Sequence, residues 1–247
     1  GYLWIGTGGG LNRYDGERFQ TFIHDPEDSS SLSNNYVSAL HESSHNDERI
    51  LWVGSEGGGL SRLAVDSLGR QTFFHYKSDP AIEQSLCDDF VTSLASTEAG
   101  LWIGTTNGLC LLPWQEIHTG RFTSFFHNPA DSLSLAGDEV NALFTDSDGG
   151  LWIGTEDGLS RLEYGDDGNM FFTSFKPDSK NPTSLSGRSV TAIHETKSGS
   201  DRWLWLGVGQ RLARLNLVQW ESGVFEHYRH APAARFRRAG ASIQTIT

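Results

Sequence analysis

The feature that most constrains this chain is a tryptophan-containing motif that recurs about every 50 residues. LWIGT occurs three times, and the variants LWVGS and LWLGV occur once each. The tryptophans of the motif are 48, 50, 50 and 53 residues apart, at Trp4, Trp52, Trp102, Trp152 and Trp205. Self-similarity at a fixed period of this length indicates a fold built from repeated supersecondary units.

Other features recur in phase with the tryptophan. Each motif is followed by a glycine-rich turn, a second apolar segment such as GLSRL, a pair of residues three apart that are mostly aromatic, and usually a polar loop that ends in Ser-Leu. These pairs are Phe19/Phe22, Gln71/Phe74, Phe122/Phe125, Phe172/Phe175 and Phe225/Tyr228. A further apolar segment opens on the valine five residues past each Ser-Leu leucine, at Val37, Val91, Val140 and Val190.

Each period therefore contains four short apolar segments separated by turns, and none shows the 3.6-residue apolar stripe of an amphipathic helix. Four strands in a unit of roughly 50 residues are typical of a β-propeller blade. We label the strands A (from the valine), B (the tryptophan motif), C (the GLSRL-type segment) and D (the aromatic pair). We predict an all-β propeller of four-stranded antiparallel blades. The tryptophan is expected to fill the wedge between blades, and the motif glycine to let the next sheet approach.

The predicted propeller is a single domain over residues 1–247, with about five blade equivalents. Four blades are whole and one is divided between the chain ends. The approximate boundaries are residues 1–32 (strands B to D), 33–84, 85–133, 134–183 and 184–233, with 240–247 a closing strand A. Pairing of this last strand with the first would close a five-bladed ring. An arc of a larger ring is the alternative, because the segment before Ile243 lacks the Ser-Leu pattern.

The formal net charge of −12 limits the partners of the chain. It argues against nucleic acid and anionic membrane surfaces, whose phosphates would be repelled. No apolar run reaches the roughly 18 residues of a membrane-spanning helix. Cys87 and Cys110 could form one bridge, but two cysteines make no disulfide framework, so the redox compartment stays open. Because the sequence starts at Gly1 rather than methionine, we expect it to belong to a longer protein.

The complete repeat resembles a known bacterial module. ERFQTFIHDPEDSSSLSNNYVSAL (17–40) and LWIGTEDGLSRL (151–162) are similar to the two-component regulator propeller repeat, and the resemblance covers essentially residues 1–228. It implies a sensor propeller on the periplasmic or extracellular face of a membrane-anchored bacterial signalling protein. It also implies downstream Ig-like, membrane and kinase domains as partners. Many such sensors respond to oligosaccharides, and the repeat supplies no catalytic residues.

The segment HESSH (His41–His45) matches the zinc-hydrolase pattern H-E-x-x-H. That pattern requires two histidines on one face of a helix, where their imidazoles converge. Here it falls at the end of strand A and in the A–B turn, so we interpret the match as accidental. The stretch that starts at Asp146 is similarly interpreted as an Asp-Gly hairpin turn rather than a calcium loop.

Three histidines recur two residues past an aromatic pair, at His24, His127 and His230. They belong to the outermost strand of different blades, too far apart to share a metal ion. We expect them to hold the loop between strands D and A, the D–A loop, by hydrogen bonds. The sequence thus predicts no catalytic residue, no metal site and no cofactor.

The D–A loops are expected to carry the residues just before each strand A to one end of the propeller, where a ligand would bind. These residues combine carboxylates, an amide, an arginine and two aromatics, which suits a sugar because hydroxyls accept and donate hydrogen bonds and ring faces stack. The candidate ligand-binding residues are Asn35, Tyr36, Asp89, Phe90, Asp138, Glu139 and Arg188. The alternative is that they are ordinary turn residues, since Asn and Asp are favoured in turns.

Three functions are compatible with this sequence. The first is a sensor module that binds an oligosaccharide or a similar small solute and has no enzymatic activity of its own. The second is a protein–protein interaction scaffold, which includes formation of a homodimer. The third is an enzyme of the polysaccharide lyase type, because propellers also host catalysis from scattered loop residues and fold alone does not decide function.

Overall fold

The structure, a computed structural model, describes residues 2–46, 48–65 and 69–228. The chain divides into two compact units, Gly1–Phe125 and Phe126–Thr247. Within the described ranges the regular structure is β-strand, apart from two short 3-10 segments at Trp114–Glu116 and Leu217–Ser222. The predicted all-β class is therefore confirmed.

The first unit contains three of the sheets, which correspond to blades 1 to 3. Blade 1 has strands B, C and D alone among the described residues: β1 (Leu3–Thr7), β2 (Gly10–Tyr14) and β3 (Phe19–Phe22). Blade 2 consists of β4 (Val37–His45), β5 (Glu48–Ser55), β6 (Gly59–Val65) and β7 (Gln71–Tyr76). Blade 3 consists of β8 (Val91–Thr97), β9 (Gly100–Thr105), β10 (Gly108–Pro113) and β11 (Thr123–Phe125).

The second unit contains blades 4 and 5. Blade 4 consists of β12 (Val140–Thr145), β13 (Leu151–Thr155), β14 (Gly158–Tyr164) and β15 (Met170–Phe175). Blade 5 consists of β16 (Val190–Ser198), β17 (Asp201–Val208), β18 (Arg211–Asn216) and β19 (Phe225–Tyr228). In both blades the strands pair antiparallel in the order A-B-C-D, as the repeat predicts. The proposed closing strand, 240–247, lies outside the described residues, so closure of the ring stays a prediction.

One aromatic pair assigned from the sequence is wrong. In blade 1, Leu11 lies opposite Phe22, and in blade 2 the equivalent Leu60 lies opposite Tyr76. The pair of blade 2 is therefore Phe73/Tyr76 rather than Gln71/Phe74. Phe73 is buried, whereas Phe74 is 47% exposed. Counting along the sequence misplaced the pair because the C–D connection of blade 2 is longer than that of blade 1.

The motif tryptophans of blades 2 to 4 and the motif glycine of blade 2 have the roles that the repeat predicts, whereas Trp4 and Trp205 are only partly buried. Trp52, Trp102 and Trp152 are fully buried, and the indole nitrogen of Trp52 donates a hydrogen bond of 2.9 Å to the Ser43 hydroxyl. A β-carbon added to Gly54 would lie 2.5 Å from a methyl carbon of Val91 in the next blade. Only glycine lets the two sheets approach this closely, and the packed blades bury the indoles between them.

Candidate ligand-binding site

The D–A loops share one construction, which fixes the residues that precede each strand A. The serine of Ser-Leu reaches back across its loop, as when the Ser31 hydroxyl accepts the Asp25 N–H at 2.9 Å and donates to the Asp25 carbonyl at 3.1 Å. The same pair of bonds forms between Ser85 and Asp79, Ser134 and Asn128, and Ser184 and Asp178. The leucine that follows each serine is buried, at Leu32, Leu86, Leu135 and Leu185.

The recurring histidines hold these loops, as the sequence predicts. The Nδ1 atom of His24 lies 2.7 Å from the Leu32 carbonyl oxygen, and that of His127 lies 2.6 Å from the Leu135 carbonyl oxygen. Each ring therefore donates a hydrogen bond across its own D–A loop. His230 lies outside the described residues.

Three of the candidate ligand-binding residues also support the loop backbone. The side-chain Oδ1 atoms of Asn35, Asp89 and Asp138 accept backbone N–H groups of His24, Ser78 and His127, at 2.7, 2.8 and 2.6 Å respectively. Each acceptor lies eleven residues after its donor. These bonds support the alternative interpretation of the three positions as turn residues. The Oδ1 atom of each side chain is already used to hold its own loop.

Arg188 occupies the same position in the next loop. A proline explains why this residue is not a hydrogen-bond acceptor like the other three. The residue eleven positions earlier is Pro177, which has no N–H to donate. An acceptor is therefore not needed, and Arg188 forms an ion pair with Asp157 at 2.9 Å. Asp157 also pairs with Lys176 at 2.9 Å. Hydrogen bonding and charge from Lys176, supported by Arg188, lower the pKa of Asp157 below its usual range.

Tyr36 and Phe90 are the most exposed aromatic candidates. They are 51% and 49% exposed, and each lies beside a glycine in the B–C turn of the preceding blade. The Tyr36 ring is 3.5 Å from the position that a β-carbon of Gly8 would take, and the Phe90 ring is 3.6 Å from that of Gly57. Because glycine has no side chain to cover them, the rings keep open surface in unit 1.

Glu139 takes the place of these aromatics in unit 2. Its side chain is exposed, and its carbonyl oxygen accepts the Glu156 N–H at 3.1 Å. The carboxylate of Glu156 in turn accepts the Asp138 N–H at 3.2 Å. Blade 4 therefore presents an acidic group at the position where blades 2 and 3 present aromatic rings.

The structure brings the candidates together within each unit. In unit 1, the Gly57 N–H bonds to the Asp89 carbonyl at 3.0 Å, and Glu56 bridges to Phe90. In unit 2, the adjacent residues Glu156 and Asp157 contact Asp138 and Arg188 respectively. We call the D–A loop ends and B–C turns of each unit the loop face of that unit. The sequence analysis missed the B–C turns, although an antiparallel A-B-C-D meander places them at the same end as the D–A loops.

HESSH does not form a metal site of the zincin type. All five residues belong to strand β4, where two residues four apart are separated by about 13 Å. The Nε2 atom of His41 lies 2.9 Å from the Ser96 hydroxyl, and burial lowers the pKa of His41. His45 stacks on Trp114 with ring centroids 5.2 Å apart. No group of three or more potential metal ligands occurs among the described residues.

The Asp146 segment forms the predicted hairpin turn. One carboxylate oxygen of Asp146 accepts the N–H groups of Asp148 and Gly150. The other accepts the indole N–H of Trp152 at 2.8 Å. The carboxylate is thereby used to close the turn and to hold the tryptophan.

The two cysteines, which the sequence left unassigned, form a disulfide. Cys87 in the D–A loop of blade 3 is bonded to Cys110 in strand C of the same blade, with Cα atoms 6.0 Å apart. In blade 2 the equivalent positions are Ser33 and Ser61, whose hydroxyls are hydrogen bonded at 2.9 Å. The disulfide therefore replaces a hydrogen bond that links the same loop and strand in the neighbouring blade.

A sequence comparison decides the type of repeat. The model of the family described as Two component regulator propeller matches residues 134–157, which run from the Ser-Leu of the D–A loop to the B–C turn of blade 4. Residues 134–157 therefore match one two-component regulator propeller repeat. A comparison with curated proteins finds no match. Segments in phase with the matched one recur in the other blades, as the LWIGT-type motifs show.

Solved structures with this architecture have low sequence identity to the chain. One is the extracellular domain of a protein described as the hybrid two-component system BT4673 from B. thetaiotaomicron, with TM-score 0.62, 20% identity, and coverage of 92% of this chain and 26% of that one. Another is the β-propeller domain of Cps50 (Swd1) from Myceliophteria thermophila, with TM-score 0.59, 14% identity, and coverage of 92% and 68%. A third is virginiamycin B lyase from Staphylococcus aureus, with TM-score 0.58, 16% identity, and coverage of 95% and 69%.

These likenesses establish the β-propeller fold. The chain spans about a quarter of the length of the first of these structures. In the part of the chain that the structure describes, no helix is long and apolar enough to cross a membrane.

Proposed function

We propose that this region is the extracytoplasmic sensor propeller of a bacterial two-component signalling protein, and that the loop face of unit 1 binds an oligosaccharide or a similar small solute. The observation that carries the proposal is the pair of exposed rings, Tyr36 and Phe90, each beside a glycine turn of unit 1. The repeat type supports the sensor role.

The chemistry of the loop face suits a neutral, hydroxyl-rich ligand. The flat C–H faces of a sugar ring pack on exposed aromatic rings, and carboxylates accept hydrogen bonds from hydroxyls. Exposed Glu56, which bridges to Phe90, supplies such an acceptor within unit 1. A strongly anionic ligand is disfavoured at this face, since the chain has a net charge of −12.

Two observations support an extracytoplasmic location. Disulfides persist in oxidising compartments such as the periplasm and the cell exterior and are rare in the cytosol, and Cys87 and Cys110 form one. The similar structure from B. thetaiotaomicron is an extracellular domain. We propose downstream Ig-like, membrane and kinase domains as the partners that relay the signal. The ligand would change the output of these domains by binding one conformational state of the protein more tightly than another.

The proposal is tested by calorimetry against a panel of neutral oligosaccharides. We expect one of them to bind, and we expect Tyr36→Ala or Phe90→Ala to weaken that binding about fivefold to tenfold, since a stacked ring contributes roughly 1 kcal/mol. Tyr164→Ala is the matched control, because Tyr164 is 54% exposed but ends strand C, away from the B–C turn. Absence of binding across the panel, or equal losses in all three variants, contradicts the proposal.

A lyase is the second candidate, favoured by the structural likeness to virginiamycin B lyase. This candidate predicts that an oligosaccharide or polysaccharide substrate is consumed by the chain. Mass spectrometry of the panel after incubation distinguishes the two functions, because a sensor returns its ligand unchanged. A product that accumulates with a bell-shaped pH profile would replace the sensor proposal by the enzyme.

A further inference from the structure

A lateral groove lies between blades 2 and 3 of unit 1, and no candidate residue of the loop face lines it. It consists of two adjoining cavities of about 450 and 550 Å³ that share His75, Tyr76, Thr119 and Gly120. Cavities of this size accept small organic ligands. Gly120 has φ +65°, and a β-carbon there would lie 3.0 Å from the Tyr76 ring, so glycine keeps the wall of the groove open.

The groove is open because blade 3 has an isoleucine, Ile117, at the position where blade 5 has the larger Trp220. Leu109 pairs with Phe125 in blade 3, and Leu212 pairs with Tyr228 in blade 5. The two leucines are therefore equivalent. Ile117 and Trp220, each eight residues after its leucine, are equivalent too. Trp220 covers the guanidinium of Arg161, 4.2 Å from its ring centroid. Ile117 instead lines the lateral groove together with Arg62, the equivalent of Arg161.

Arg161 and Arg214, the equivalents of Arg62 in blades 4 and 5, each pair with a carboxylate of their own blade. Arg161 pairs with Glu163, two residues further along strand C, and Arg214 pairs with Glu226 on strand D at 2.7 Å. The corresponding residues of blade 2 are Ala64 and Phe74, and both line the groove. The place of a carboxylate beside Arg62 is therefore lined by an alanine and an aromatic ring.

Arg62 is a suitable receptor for such a group. It is only 7% exposed, its Nε has no hydrogen-bond partner in the structure, and its guanidinium lies 4.9 Å from the centroid of the Phe74 ring. The guanidinium also interacts with the Tyr76 hydroxyl. A guanidinium held by packing and by an aromatic face is well prepared to bind a carboxylate.

The remaining lining is polar and carries further positive charge. Lys77 and Arg121 line the cavity of about 450 Å³, where Gln84 and Thr119 add hydrogen-bonding groups. The exposed face of Phe74 offers a surface for a sugar ring in the cavity of about 550 Å³. Asp79 and Glu48 are the acidic residues of the lining.

We propose that the lateral groove binds a small sugar acid, whose carboxylate takes beside Arg62 the place that Glu163 occupies beside Arg161. The hydroxyls of the sugar lie toward Thr119 and Gln84. This site is separate from the loop face and does not rest on the function proposed for that face.

The test introduces a carboxylate into the protein beside Arg62. Ala64→Glu places on strand C the group that pairs with arginine in blade 4, so the ligand is excluded by an internal ion pair. Val65→Glu is the matched control, because it makes the same charge change at the neighbouring, 60% exposed residue, which points to the other face of the strand. Ile117→Trp is a second variant, which fills the groove as Trp220 does in blade 5.

Binding of glucuronate is measured by calorimetry at constant ionic strength, with glucose and sulfate as reference solutes. We expect glucuronate to bind to the unmodified chain and to Val65→Glu, and to lose at least about tenfold in affinity with Ala64→Glu and Ile117→Trp. Thermal unfolding verifies that the variants are folded. The proposal is overturned if glucuronate does not bind, if glucose or sulfate binds equally well, or if folded Ala64→Glu retains full affinity.

Discussion

At the residue scale, single side chains decide what each D–A loop needs. Asn35, Asp89 and Asp138 accept a backbone N–H that starts the loop, whereas the loop that starts at Pro177 has no such donor and carries Arg188 instead. Polar residues that resemble a ligand set thus also have a structural cause. The exposed rings of Tyr36 and Phe90 have no equivalent structural cause and remain the better ligand candidates.

The pair Asp138 and Arg188 gives a direct test of this difference. Asp138→Ala leaves the His127 N–H without its acceptor, so we expect the free energy of unfolding to fall by about 1–2 kcal/mol. Arg188→Ala removes an exposed ion pair and should change it by less than about 1 kcal/mol. Urea unfolding measures both values, and equal losses would show that the acceptor is unimportant.

A second prediction concerns the motif glycine of blade 2. Gly54→Ala would place a β-carbon 2.5 Å from Val91, and we expect it to lower the free energy of unfolding by about 1–3 kcal/mol through overpacking. Gly9→Ala is the control, since the nearest atom there is 3.9 Å away. The comparison is made by urea unfolding, and equal stability of the two variants would mean that the blades move apart at no cost.

At the element scale, blades 2, 3 and 4 each join the D–A loop to strand C by a local link, and the chemistry of the link varies. Blade 2 uses the hydroxyls of Ser33 and Ser61, whereas blade 3 uses the disulfide Cys87–Cys110. Blade 4 uses the Ser160 hydroxyl, which accepts the Ala136 N–H at 2.9 Å. Blades 4 and 5 are also joined to each other by an ion network in which Arg202 contacts Glu195 and Asp148. Equivalent strands therefore tolerate different connections as long as the loop stays in place.

We predict that the disulfide forms in the protein and stabilises it. The double substitution Cys87→Ser with Cys110→Ser should lower the free energy of unfolding by up to about 2–4 kcal/mol, with part of the loss offset by a Ser–Ser hydrogen bond like that of blade 2. Alkylation followed by mass spectrometry should find no free thiol before reduction. Labelling of both cysteines in the unreduced protein would contradict the bond.

The ion network of unit 2 predicts a dependence of stability on pH. Burial by itself would raise the pKa of Glu195, but Arg202 and the hydrogen bonds from Ser147 outweigh it, so the pKa lies below its usual value of 4.5. A carboxylate with a lowered pKa stabilises the fold above the unfolded value, and the contribution is lost as the pH falls through the folded value.

Glu195→Gln should therefore cost about 1–3 kcal/mol near pH 7, because charge-assisted hydrogen bonds are removed. The difference between the two proteins should shrink as the pH is lowered below about 4.5, where the unfolded carboxyl is protonated. Melting temperatures between pH 7 and pH 3 provide the measurement. A constant difference across this range would exclude Glu195 as the titrating group.

At the scale of the whole molecule, charge rather than shape limits the partners. The net charge of −12 opposes binding to any polyanion, even where single arginines are exposed. A small acidic solute is a different case, because Arg62 lines one cavity of the lateral groove and Lys77 and Arg121 line the adjoining one. Local charge can therefore oppose net charge within a groove.

This distinction predicts that a fluorescent DNA duplex does not bind to the chain, even at low ionic strength. Fluorescence anisotropy at about 50 mM salt is a sensitive measurement, because nucleic-acid binding is strongest when few counterions compete. Saturable binding that weakens steeply with added salt would reveal a basic surface that the net charge conceals.

The sequence by itself determined the repeat, the strand order and the buried indoles. This was possible because a blade is a local unit: its four strands follow one another along the chain, and each needs its own apolar residues and turns. The histidines of the D–A loops and the Asp146 turn were predictable for the same reason, since their partners lie within about ten residues.

Only the tertiary structure decided which side chains are left open to a ligand. The role of Asp89 depends on the Ser78 N–H, which lies at the start of the same D–A loop. The exposure of Phe90 depends on Gly57 in the B–C turn of the preceding blade. The lateral groove depends on the difference between Ile117 and Trp220 and between Ala64 and Glu163. Such differences acquire meaning only when neighbouring blades pack together, because burial and pairing are properties of contacts between segments distant in sequence.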